Sequence, residues 1–503
     1  MDITNLLSNW TVQVDGAVPM YIQLANVFTA KIQNMTLQPG DKLPPERELA
    51  KALNVSRTTA INAYKLLEER GLVLTKIGSG TYVAAVTKQM AETTPVPWEQ
   101  LFTPQYRTPT SSIIRNLVAM PAGGNHISFA TGMPDPAFYP LHILQEGLVS
   151  SVDSVDRSDF GYMPTEGYPS LRKALALWQK SYGIESEDEG ILIISGSQQG
   201  LYLIVKALIE PRDFVVVESP TYLGAIQILE SAGARILCLP PGDSLRLDVL
   251  EDYLIRYRPK FFYTIPTFQN PTGRVMSLQE RRALLALAEK HHLVLVEDDP
   301  YGHLYYEQKP PLSLKALDTY GGVIYLSTFS KSLFPGLRIG WLTAPAAVVN
   351  RLAQEKQYVD LQSNNLSQKV LTSYLDTGDF EAHLQKMRAI YKLRRDAMAQ
   401  ALQRYCAGFL DFPIPEGGFY LWCTLAPRIS GREFWQRAAR AGVSFVPGEA
   451  FYAGIGESQQ FRLCFVSHEE EILREGVRRL GRILASGDVW TEPATSSGSR
   501  PLI

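Results

Sequence analysis

The stretch STFSKSLFPGLRIGW, residues 327–341, decides how most of this chain is read. It continues the apolar run 323–327, which reads as a strand, and sets Lys331 in a short turn just past that strand's end, among Thr328, Ser330 and Arg338. In open α/β sheets, ligands bind beyond the carboxyl ends of the strands. A neighbouring cation and partial burial both lower a lysine's pKa, which leaves an amine able to condense with an aldehyde. Taken singly, Lys331 reads as a solvated surface charge, so the question is what else the chain brings beside it.

From about residue 113 to 485, apolar strands alternate with amphipathic helices. The alternation predicts an α/β body: a mixed, mainly parallel sheet with helices on both faces, then a small carboxyl-terminal α+β subdomain. Several of its loops match what pyridoxal phosphate demands. The run IISGSQQGLYLIVKAL (193–208) gives strand, glycine turn and helix, with Ser197 and Gln198 at a helix start that suits a phosphate. A protonated pyridine nitrogen needs a carboxylate, and LVLVEDDPYGHL (293–304) ends a strand in acids, of which Asp298 is the candidate, with Tyr301 three residues on. A capping cluster is the alternative for these acids. Asn270 in PTFQNPTG offers a donor for the ring oxygen, and Tyr222 in ESPTYLG an aromatic for the ring face, though both also suit an ordinary turn or core packing. On pattern alone, Arg462 in FRLCFV reads as a solvent-side position of an alternating strand.

These features resemble, in order and over 127–482, the fold-type I aminotransferases, especially their kynurenine/2-aminoadipate branch. The resemblance implies an aldimine at Lys331, Asp298 on the pyridine nitrogen, Asn270 and Tyr301 on the ring oxygen, and Tyr222 stacked on the ring. It implies phosphate contacts from Ser197, Gln198, Thr328, Ser330 and Arg338, with Tyr162 reaching in from a second subunit, hence a homodimer. It also implies that Arg462 grips a substrate carboxylate and that Gly132 lines the same pocket.

The first 85 residues follow a different pattern. Apolar positions Ile22, Leu24, Val27, Phe28, Ile32 and Met35 suit one helix face; Pro44 and Pro45 open a second helix; Ser56 is a natural N-cap for a third that runs to Gly71. Two short strands joined by KIGSG complete a winged helix-turn-helix. Ser56, Arg57, Thr58 and Thr59 start its recognition helix. Eight Lys/Arg against seven Asp/Glu in 1–85 lend no support to DNA binding, and a protein-docking module is the alternative. The run from GDKLPPERELA to GSGTYV resembles the GntR family of bacterial repressors over 19–84, which implies DNA contacts by Arg47, Arg57, the threonines and the wing glycines Gly78 and Gly80.

Residues 86–112, rich in Pro and Thr, read as a linker that spans about 90 Å when extended. Residues 486–503 read as a disordered tail. The formal charge of −2 neither demands nor excludes nucleic acid. Four scattered cysteines with no CxxC argue against a zinc site or disulfide framework, and no run is long enough to span a membrane; a cytoplasmic protein is expected. The two halves together resemble the MocR/GabR regulators, which implies a transcription regulator sensing pyridoxal phosphate or an amine; a working transaminase with a DNA-binding appendage is the alternative.

Overall fold

Ser56 accepts a hydrogen bond from Thr59 N–H at 3.0 Å, and this cap starts the helix Arg57–Glu69 where the sequence puts it. The computed structural model describes residues 18–76, 78–84, 101, 126–141, 145, 161–454, 456 and 459–486. The expected linker, apart from Leu101, and the expected tail, apart from Ser486, lie outside these residues. The chain divides into two units, Met1–Thr110 and Ser111–Ile503.

In the first unit, α1 (Met20–Gln33), α2 (Glu46–Ala52) and α3 (Arg57–Glu69) pack on a hairpin of β1 (Val73–Lys76) and β2 (Gly80–Val83). Leu24, Phe28, Leu49, Leu67, Val73 and Val83 are buried together. The helix predicted to reach Met35 stops at Gln33; Met35 takes a left-handed φ of 60° and is exposed, and Leu37 enters the core in its stead. Pro45 caps α2 from outside, and the Pro44 carbonyl accepts from the buried Tyr64 hydroxyl at 2.8 Å.

The second unit begins with β3 (Ile127–Ser128) and holds a seven-stranded sheet. Its strands are β4 (Ile191–Ile194), β5 (Phe214–Val217), β6 (Arg235–Cys238), β7 (Phe261–Thr264), β8 (Val294–Asp298), β9 (Val323–Thr328) and β10 (Gly340–Thr343), in the order β4-β10-β9-β8-β7-β5-β6. Strands β9, β8, β7, β5 and β6 run parallel, and β10 runs antiparallel to both neighbours. Runs such as ILII and VIYLST are buried throughout because both sheet faces are covered. Alternate residues serve different cores: Ile193, Tyr325 and Trp341 pack on one face, Ile194, Leu326 and Leu342 on the other. A second, antiparallel sheet combines β11 (Leu410–Asp411), β12 (Tyr420–Leu425), β14 (Val446–Pro447) and β15 (Gln460–Cys464), and β13 (Val443–Ser444) pairs in parallel with β3.

Strand β10 is what gathers the site. Its Gly340 sits opposite both Ile194 and Thr328, so the turns that leave β4 and β9 lie side by side. A Cβ on Gly340 would stand 2.7 Å from the Ser327 carbonyl oxygen and 3.1 Å from Gly196 Cα, both backbone atoms that cannot swing away. Gly340→Ala is therefore expected to destabilise the second unit by about 1–3 kcal/mol, the usual cost of overpacking. A lowered thermal midpoint in calorimetry, with helix content of the first unit retained, checks it.

Candidate functional site

Thr328 ends β9 and caps the one-turn helix Phe329–Ser332, its hydroxyl accepting from Ser330 N–H at 3.1 Å. Thr328 and Ser330 are buried with their hydroxyls 3.0 Å apart, and Lys331 projects from the same turn. Across β10, Gly196 has a φ of 96° and introduces the helix Ser197–Leu208. Arg338, itself left-handed at φ 52°, donates to the Ser195 carbonyl. Ser197, Thr328, Ser330 and Arg338 are thus brought to one cradle by the strand order. Gln198 is exposed and accepts from the Tyr222 hydroxyl at 3.1 Å.

One cleft is lined by Gly132, Ser197, Tyr222, Asn270, Asp298, Tyr301, Lys331 and Arg462 among others. Asp298 is the last residue of β8, buried, with Oδ2 accepting from the Tyr263 hydroxyl at 2.7 Å. Its Oδ1 is buried without a hydrogen-bond partner. Burial, then the charge of Asp299, push its carboxyl up to about 7, against the Tyr263 hydrogen bond and Lys331. A buried acceptor left open at the end of a cleft fits a ring N–H donor. Asn270 accepts from Arg462 Nη1 at 2.9 Å through Oδ1, which leaves its amide N–H groups to donate, and the Tyr301 hydroxyl lies 3.1 Å from that of Tyr420. An open carboxylate, amide and hydroxyl donors, an amine and a glycine-opened helix start form a donor set that fits pyridoxal phosphate.

Arg462 is 7% exposed, not solvent-facing as the strand alternation suggested. Its guanidinium lies 3.9 Å from the Tyr420 ring centroid and donates through Nη2 to the Ala130 carbonyl at 2.8 Å. Lys331 Nζ donates to the Gly132 carbonyl at 2.6 Å. The segment 130–133 is therefore pinned across the cleft by the two cations that line it; the Ser467 hydroxyl, 2.9 Å from both the Thr131 and the Met133 carbonyl oxygens, shares its one proton between them. Burial first, and the positive charge of Arg462 second, bring the Lys331 amine from 10.5 down to about 8.

Tyr162 stands apart from this cleft and is 87% exposed. Tyr263 and Tyr420 escaped the sequence reading. A tyrosine inside the otherwise apolar FFYT, which must find a partner when buried, was the available signal for Tyr263. Nothing in the spacing marks Tyr420. In the first unit Arg47, Arg57 and Thr58 are exposed at or beside the start of α3, with Thr59 half-buried behind Ser56. Arg57 Nη2 lies 3.9 Å from Glu46, and Gly78 in the β1–β2 turn and Gly80 at the start of β2 have φ of 78° and 121°.

Capture of an aldehyde requires the neutral amine, so its rate on the full chain is expected to rise with pH through about 8. Arg462→Met removes a cation that favours the neutral form, and should shift that rise to higher pH. Rapid-mixing absorbance with pyridoxal phosphate across a pH series measures both.

Residues 141–480 match the aminotransferases of class I and II, and residues 21–83 match the bacterial regulatory proteins of the gntR family. The HTH-type transcriptional regulator YdfD of Bacillus subtilis is 32% identical over 93% of this chain and 96% of its own. The 2-aminoadipate transaminase of Thermus thermophilus is 37% identical over 78% of this chain and 98% of its own. The structure of kynurenine aminotransferase from Pyrococcus horikoshii is similar with a TM-score of 0.73 at 37% identity, covering 78% of this chain and 98% of that one. Sheet order, cleft and matches agree: this chain belongs to the class I and II aminotransferases, and it carries a gntR-family regulatory unit ahead of that body.

Proposed function

We propose that this chain is a pyridoxal phosphate-dependent transcription regulator, in which the aminotransferase body senses the cofactor, an amino-acid-like amine, or both, and governs the winged helix. One observation carries the reading: a depressed lysine amine and an open, buried carboxylate oxygen face one cleft in a chain that begins with a DNA-reading unit. When bound, pyridoxal phosphate supplies a carbon that amines attack and a ring that withdraws electrons. In this reading Lys331 Nζ holds it covalently, Asp298 accepts from its ring nitrogen, Asn270 and Tyr301 donate to its ring oxygen, and Tyr222 covers its face. Ser197, Gln198, Thr328, Ser330 and Arg338 hold the phosphate, and Arg462 with Gly132 receives the carboxylate of an amino acid.

The pinned segment gives such a ligand something to change. Lys331 and Arg462 donate to the carbonyls of Gly132 and Ala130, and a ligand needs both donors. Occupancy leaves two carbonyls to find other partners, at about 1–3 kcal/mol each if they fail, so ligand and pinned segment compete. A regulator needs such a difference in ligand affinity between two states. A homodimer is also part of the reading: Tyr162, Tyr358, Val359 and Leu361 are exposed apolar groups, and Gln362 accepts from Met163 N–H, which ties their two segments together. Work on DNA would put the protein in the cytoplasm.

The amine lowered to about 8 also favours a second reading, amino-group transfer, because Lys331 Nζ could then take and return a proton at a substrate's α-carbon near neutral pH. Repeated 2-oxo acid production from an amino-acid panel supports that reading; one slow half-turnover or none supports the regulator.

On the chain's own upstream DNA, adding pyridoxal phosphate with an amino-acid panel is expected to change affinity by about 5–150-fold, the range of ordinary allosteric coupling. Lys331→Ala should bind the same DNA and lose that response. An equal response in the variant, read by fluorescence anisotropy, would remove Lys331 from the sensing role.

A further inference from the structure

The turn that introduces the helix Ser197–Leu208 is held by residues far from it in sequence. Its N-cap is Gly196, which has no side chain to bond the first amides. Two things call for glycine there: the φ of 96°, and the Arg338 guanidinium, whose Nη2 would stand 3.0 Å from a Cβ at that position. Arg338 can lie against the turn because the cap residue is bare, so another group has to fix the turn.

Gln199 supplies the first part of the replacement. Its Oε1 accepts from Ser195 N–H at 2.7 Å, which ties the helix back to the residue before its cap. With that oxygen committed, the Gln199 amide has N–H groups left to offer, and Nε2 donates to Asp360 Oδ2 at 2.7 Å, 161 residues away in sequence. The Ser195 hydroxyl donates to the same oxygen at 3.2 Å. Asp360 Oδ1 in turn accepts from Lys356 Nζ at 2.7 Å, an i,i+4 pair reaching from the end of the helix Ala346–Gln357 to the residues after it. Lys356 is fully buried, so its ammonium has left water to sit behind that one carboxylate. Ser195 is also where Arg338 donates, at the carbonyl. Asp360 therefore stands behind both the helix start and the seat of Arg338.

We propose that Asp360 is a positioning residue for the phosphate cradle, and that it sets the chain's preference for pyridoxal phosphate over pyridoxal. Asp360 does not line the cleft. It acts through Gln199 and Ser195, which hold the turn and Arg338 in place before a phosphate arrives, so that less ordering is left for binding to bring about. Lys356 balances its charge, so the carboxylate does this without setting an unpaired anion behind a site for an anion. The inference rests on the cofactor-binding reading of the cleft.

The test titrates the full-length chain with pyridoxal phosphate and, separately, with pyridoxal, reading the absorbance change against the Lys331→Ala chain to remove reaction at other lysines. Gln199→Met keeps the ion pair and cuts the link to the turn. Asp360→Asn keeps the shape, but its amide must set N–H groups against either Gln199 or Lys356. With one charge-assisted hydrogen bond lost, each variant should bind pyridoxal phosphate about 10-fold more weakly and pyridoxal as the unsubstituted chain does. A role confined to holding the helix weakens both ligands alike, so equal losses in a folded variant overturn the proposal. Undiminished pyridoxal phosphate binding by either folded variant also overturns it and leaves the cofactor reading standing; Gln199→Met decides if Asp360→Asn fails to fold. Failure of the unsubstituted chain to bind pyridoxal phosphate overturns both.

Discussion

The cleft depends on taking one amine out of water beside a second cation. Lowering Lys331 from 10.5 to about 8 corresponds to roughly 3 kcal/mol of bias against its charged form. Burial and Arg462 supply that bias, and the Asp298 carboxylate opposes it. Asp298 is itself pushed up to about 7 by burial. Each group is thus held close to the pH at which it changes state, and each lines the same cleft because β8 and β9 are neighbours in a parallel sheet. Without the sheet order, neither environment would exist: Asp298 pairs in register with Leu326, and Lys331 follows five residues later in the turn that β9 feeds.

The fold was legible where local chemistry and tertiary packing agree. Buried runs such as FVVV and VIYLST have one comfortable conformation, and the run 323–327 read as a strand is β9 short of its last residue. The loops that carry Ser197, Asn270, Asp298 and Lys331 could be named because each is a turn after a strand, and the order of the strands brings them to one cleft. Arg462 could not be read from its own strand. Alternation marked it as outward, but the outward side of β15 at that point faces Tyr420 and Phe451, so the guanidinium is covered by aromatic rings. Tyr420 was invisible for a similar reason, its hydroxyl mattering through a partner far off in sequence, whereas Tyr263 left a trace in FFYT but not the identity of its partner. Met35 failed at a helix end, where the choice between one more turn and a left-handed residue is settled by Leu37 reaching the core.

The pinned segment 130–133 was also beyond sequence, because it is held through its carbonyls, which every residue has. It nonetheless gives the body a physical means of distinguishing a filled cleft from an empty one.

The account stands on Lys331 being the amine that the cleft has made reactive. The most direct measurement is to incubate the full-length chain with pyridoxal phosphate near neutral pH, reduce with borohydride, and locate the added mass by peptide mass spectrometry. A single modified site at Lys331 is the predicted result. Label spread over exposed lysines, with Lys331 unmodified, would contradict it.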